Sequence, residues 1–191
     1  MRPTMQLALA FALGVLGWSL LEYLIHRWFG HDKRLIRNPF GAEHTAHHSR
    51  GNYFAPAYKK AIVIPLVFSL FAIPGGAIFG AAPAIAFAAG LVGYYLLYEA
   101  LHYLAHVRPA VTAYGRWLRL HHFHHHFHEP RRNFGVSSPL WDFVFRTNVP
   151  LGRVVVPKKL AMRWLVDPAT GDVRAEHAAD YALALRPNAE P

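Results

Sequence analysis

The chain has 191 residues, 53% of them hydrophobic and 16% charged, with a mean hydropathy of +0.14. That length suits one domain, and so little charge, against about 25% in soluble domains, leans toward a membrane protein. The net charge of +9 comes from basic residues that flank apolar spans, as in loops beside anionic lipid, so no nucleic-acid partner is expected, and the lack of cysteine excludes disulfides, thiolate ligands and cysteine-based zinc fingers.

Met5 to Ile25 is apolar apart from Gln6, Ser19 and Glu22, and about 20 such residues are enough for a spanning helix. A cleaved signal peptide is the rival reading, set aside because the stretch runs unbroken into Glu22-Tyr23-Leu24-Ile25-His26-Arg27. Asp32 to Lys60 is polar, with Pro39, Gly41, Gly51 and Pro56, and reads as loop and short helix outside the hydrocarbon. Ala61 to Tyr98 holds no charge and is too long for one span. It suits a hairpin turning at Pro74-Gly75-Gly76, with kinks at Pro65 and Pro83 that membrane helices tolerate, or a re-entrant hairpin if the first arm is short. Glu99 to His106 continues the second arm, and Pro109 to Arg146 is basic, aromatic and histidine-rich.

The expected architecture is all-α: an integral membrane helical bundle with a cytosolic histidine-rich cap. Spans fall at about 5–25, 58–74 and 78–98 within a domain of residues 1–150, followed by a polar tail, 151–191, whose one apolar stretch is Leu160 to Val166. Lysine and arginine crowd the loop after the first span and the segment after the hairpin, while Arg2 alone precedes the first span. The positive-inside rule therefore puts both histidine regions in the cytoplasm.

Fourteen histidines are present, thirteen of them between His26 and His128. His26 and His31 are five apart; His44, His47 and His48 form HxxHH; His102 and His106 form HxxxH; His122, His125 and His126 form a second HxxHH. Helical positions i, i+3 and i+4 share a face, so HxxHH is expected to aim three imidazoles at one point. Neutral imidazole suits iron, zinc, copper or nickel. One isolated histidine pair is more often packing than ligand, but four such groups at a membrane boundary point to function. Ten ligands exceed the needs of one metal and suit two. His121, His124 and His128 fall outside these patterns and are expected to be solvated or to support the ligands, His121 the latter; His177 reads as a surface histidine. Glu22 and Glu99 are each expected to orient a neighbouring ligand ring rather than bind metal, and Glu43 adjoins His44. The nucleophile elbow, the P-loop and the dinucleotide fingerprint are absent.

Trp18 to Arg27, the HTAHH of His44 to His48, Gly90 to His106, the HHFHHHF from His121 and Asn133 to Asp142 together resemble the fatty acid hydroxylase / sterol desaturase superfamily, and within it the fatty acid 2-hydroxylases, over about Gly14 to Thr147. The resemblance implies a membrane enzyme with two iron ions held by these histidines (zinc can substitute on purification). It would hydroxylate or desaturate a lipid C–H bond with O2. The cytochrome b5-like domain fused to some members is missing from the sequence, so electrons are expected from a separate protein. Carotenoid hydroxylases and sterol or lipid desaturases are the neighbouring alternatives, and a metal-binding membrane protein without oxygen chemistry is the alternative of another class.

Overall fold

A computed structural model describes residues 2–184 and is mostly helical. The elements are α1 (Pro3–Leu24), a π-turn that extends it (Ile25–Gly30), α2 (Pro39–Arg50), α3 (Ala57–Phe79), α4 (Ala81–Val107), α5 (Ala113–Phe127), α6 (Leu140–Val144), β1 (Val154–Pro157) and β2 (Tyr181–Ala184). Three stretches are long and apolar enough to cross a membrane: Pro3–Gly30, Ala57–Phe79 and Ala81–Val107. The chain divides into two compact units.

The first unit comprises 1–22 and 55–100. Trp18, Leu91 and Tyr95 form its buried core, lined by Val63, Ile64, Val67, Phe71 and Phe87. The approach of α1 to α4 depends on glycine: a Cβ on Gly14 would lie 2.1 Å from the Phe87 carbonyl oxygen, and one on Gly90 would lie 2.2 Å from that of Phe11. Small residues at such crossings let helix backbones meet, as membrane helices require where no hydrophobic force drives them together. No residue of α3 is buried. Its Ile62, Leu66, Leu70 and Ile73 are 60–72% exposed, an apolar surface that suits lipid and not water.

The turn between α3 and α4 corrects the sequence expectation. Helix α3 runs through Pro65 and Pro74 to Phe79 and stops at Gly80, whose φ of 88° ends the helix while its N–H bonds the Gly76 carbonyl. Glycine takes that left-handed conformation without the strain a Cβ brings, whereas Pro74-Gly75-Gly76 stays helical.

The second unit comprises 23–54 and 101 onward. Helix α2 starts at an Asn38 side chain that accepts the Gly41 N–H, with Pro39 in the first turn, and α5 starts at Thr112, which accepts from Gly115; both are standard ways to satisfy the free donors of a helix start. Behind α5, Phe123 packs with Val154, Val156, Met162, Trp164, Leu165 and Tyr181. Strands β1 and β2 pair in parallel, Val154 opposite Tyr181 and Pro157 opposite Ala184. Residues 151–184, read from composition as a polar tail, thus supply a two-stranded sheet and much of this core, an addition to the all-α expectation. The run Val154-Val155-Val156 alternates buried and half-buried positions, as a strand on a helix should. Residues 185–191 of that tail lie outside the described residues.

Candidate metal centre

Residues five apart on an α-helix point about 140° away from each other, so His26 and His31 would diverge on a continued α1. The π-turn at Ile25–Gly30 changes this. Its wider i to i+5 repeat brings the two rings to one side, their centroids 5.2 Å apart and their planes tilted by 48°. Gly30 leaves room beside them: a Cβ there would meet His44 Cδ2 at 2.9 Å.

The ten histidines of the four sequence groups come together in two sets. His26, His31, His44, His48 and His125 form one, His47, His102, His106, His122 and His126 the other, and within each set the candidate ligand atoms lie within 4.8 Å of one another. Each HxxHH therefore divides, which corrects the expectation that it aims at one point. Around a helix, i+4 lies about 40° to one side of i and i+3 about 60° to the other. His44 and His48 accordingly join the first set while His47 faces the second. In α5, His122 and His126 serve the second set and His125 the first. The sets meet where the His48 and His126 rings stack, centroids 4.0 Å apart and 4° from parallel.

The nitrogen geometry fits a cation. His26 Nδ1 donates to the Phe134 carbonyl at 2.5 Å and His125 Nδ1 to that of Arg132 at 2.7 Å, which leaves both Nε2 atoms as bare lone pairs when the rings are neutral. Nε2 contacts then run from His26 to His44 (3.1 Å), His44 to His31 (2.8 Å) and His31 to His125 (3.0 Å). With acceptors at both ends, His44 and His31 would each have to donate outward, and their own contact would oppose two N–H groups. No proton assignment on neutral rings satisfies the row, but one cation at its centre does. Metal–imidazole bonds of about 2.0–2.1 Å put neighbouring ligand nitrogens about 3 Å apart, the spacing seen here. In the second set, His47 Nδ1 donates to Tyr53 O at 2.7 Å, and the His47–His102 and His106–His122 Nε2 pairs are each 2.9 Å apart. The Nε2 atoms of His48 and His126 are buried without a hydrogen-bond partner, and buried polar atoms seldom go unsatisfied.

Burial holds six of these rings neutral. It pushes His31 down to about 4, and it drives His44, His48, His122, His125 and His126 well below the ordinary histidine value, helped by the surrounding imidazoles. Neutral imidazole is the ligating form.

Backbone carbonyls orient three of the rings, those of His26, His125 and His47. Glu22 and Glu99 fall in the first unit, where Glu99 takes a 2.5 Å contact from Lys60; Glu43 accepts from Tyr53 at 2.5 Å. His121 is fully buried and donates to Asp142 at 3.2 Å. His124 and His128 stack on each other, and His128 Nε2 accepts the Val155 N–H at 2.8 Å, tying α5 to β1. His177 packs edge-on against Trp164.

Sequence reasoning met Asp142 only as the end of the segment Asn133 to Asp142 that carries the family resemblance and gave it no role. It is fully buried and accepts from Phe134 N, Gly135 N and Thr147 Oγ1 at 2.7–2.8 Å. Burial alone would raise its pKa, but the bonds from His121, Thr147 and Gly135 outweigh that and lower it, so it is a carboxylate. Tyr23 extends the network, bonding Thr147 at 2.9 Å and accepting from Arg27.

Fold and site define a mostly helical protein with three stretches fit to span a membrane and two histidine sets able to hold metal ions. The chain belongs to the fatty acid hydroxylase family, whose model matches residues 11–147, and the resemblance read from the sequence is borne out. It is 36% identical over 152 residues to a fatty acid 2-hydroxylase of Rattus norvegicus, covering 73% of this chain and 39% of the relative. It is 33% identical over 152 residues to a dihydroceramide fatty acyl 2-hydroxylase of Arabidopsis thaliana, covering 74% and 61%. A solved structure of full-length scs7p, in which only the hydroxylase domain is visible, superposes with a TM-score of 0.61 at 27% identity, covering 80% of this chain and 61% of that one. The chain spans about two-fifths of the length of its animal relatives.

Proposed function

We propose that this chain hydroxylates a fatty acyl C–H bond with O2, two histidine-bound irons and electrons from a separate protein donor. The observation that carries the reading is the pair of five-histidine sets, whose nitrogens stand at ligand spacing. Bound iron would supply the redox chemistry of O2 activation. The protein's own residues fix the rest. Carbonyls of Phe134, Arg132 and Tyr53 hold the protons of His26, His125 and His47 on Nδ1 and so turn Nε2 to the metal. Burial keeps protons from His31, His44, His48, His122 and His126. The balance is one oxygen atom into the C–H bond and one leaving as water, with two electrons and two protons from the donor side and solvent.

Relatives named as fatty acid and dihydroceramide fatty acyl 2-hydroxylases support carbon 2 of an acyl chain, free or in a sphingolipid, as the target. His26 lies near the end of one apolar stretch with His31 just beyond it, and His102 and His106 lie near the end of another, which suits a substrate drawn from the bilayer. The basic loops support a cytoplasmic site.

The test supplies the reduced, iron-loaded protein with labelled O2 and a membrane lipid extract. One labelled oxygen atom in an acyl lipid is the expected product. A lost hydrogen pair without label would mean desaturation, labelled carotenoid would move the substrate, and no lipid change with filled iron and a working donor would leave metal binding alone.

A further inference from the structure

We infer that Asp142 tunes the metal of the first histidine set through a single peptide group, an inference that rests on the metal reading above. The Phe134 carbonyl that accepts from His26 Nδ1 and the Gly135 N–H that donates to Asp142 Oδ2 belong to the same peptide unit, with contacts of 2.5 and 2.7 Å. The line therefore runs carboxylate, peptide, imidazole, metal position. In ordinary carboxylate–histidine–metal arrangements the carboxylate meets the ring directly, fixes its tautomer and raises its basicity. Here a peptide stands between, and a peptide transmits polarisation: a negative charge on its N–H side makes its carbonyl oxygen a stronger acceptor. His26 Nδ1–H is held harder, and Nε2 becomes the better donor.

The surroundings are built for this. Asp142 is 0% exposed, so its charge acts at low dielectric. Its other oxygen, Oδ1, is taken by Phe134 N and Thr147 Oγ1, while Oδ2 takes Gly135 N and the His121 ring. Glycine is needed at 135, since a Cβ would lie 2.9 Å from Oδ2 and 2.1 Å from the Ser138 carbonyl. Among the described residues the other carbonyl-held ligand of this set, His125, uses Arg132 O, and His47 of the second set uses Tyr53 O; neither of those peptides is tied to Asp142 in the hydrogen bonds described.

The inference separates the two metals. Asp142→Asn keeps the shape and removes the charge. Zinc affinity is measured by chelator competition on the full-length protein in detergent. Wild type is expected to bind two zinc ions, and a wild type that binds none sinks the metal reading itself. In D142N one of the two ions should weaken about 10- to 100-fold, the range typical for loss of a group behind a ligand, with the other unchanged. Asp142→Glu, which restores the charge, should recover part of the loss. Unchanged affinity at both ions, or equal loss at both in a folded protein, overturns the inference. If D142N fails to fold, Thr147→Val decides: it removes a donor to Oδ1 but leaves the charge, Oδ2 and the relaying peptide. Both ions should then stay within about threefold of wild type, and selective loss of one would show that loop rigidity, not charge, is what matters.

Discussion

Replacing His125 by alanine removes the Nε2 that closes the row of contacts in the first set, so metal content should fall from two ions per chain to about one and turnover should be lost. His124→Ala, one residue away, removes a ring that belongs to neither set and stacks on His128. It should keep both ions and most activity, and metal analysis beside a hydroxylation assay checks the pair. Equal damage from the two would mean that the register of α5 is misread. The ten candidate ligands were legible in the sequence because helical spacing is local information. Asp142 was not. Its partners lie at positions 121, 134, 135 and 147, joined by a loop whose fold no periodicity records, and a single aspartate in an aromatic stretch carries no signal by itself.

At the scale of the elements, glycine decides how closely α1 meets α4. Gly14→Val should drive a side chain into the Phe87 carbonyl, which a Cβ alone would already approach to 2.1 Å. The crossing must open, and overpacking of this kind costs about 1–3 kcal/mol. A lower thermal midpoint in detergent is expected, whereas Gly93→Ala, with nothing within 4 Å of its added Cβ, should leave the midpoint in place. The three long apolar stretches could be read from hydropathy, but their ends could not. Pro74 stays inside α3 and the break waits for Gly80, because proline in a helix deep in lipid is less costly than its reputation in water suggests. The π-turn was equally hidden: a spacing of five between His26 and His31 signals a departure from α-geometry only once both are known to face one point.

At the scale of the whole chain, reporters fused after Ser49 and beyond residue 184 should report the same side of the membrane, with the amino terminus opposite. Opposite sides for the two fusions would place His47 and His122 in different compartments, at odds with the 6.2 Å between their rings. The parallel pairing of β1 with β2 also bears on the order of biosynthesis. The back of α5, at Phe123, is covered by Val154, Val156 and Tyr181, far downstream of the last candidate ligand, His126. Contacts so distant along the chain form late, so the three apolar stretches can be inserted, and every candidate ligand already translated, while α5 still lacks its backing. Metal capture is then expected only after Tyr181 has emerged, and a ribosome stalled before it should display all ten candidate ligands without a finished centre.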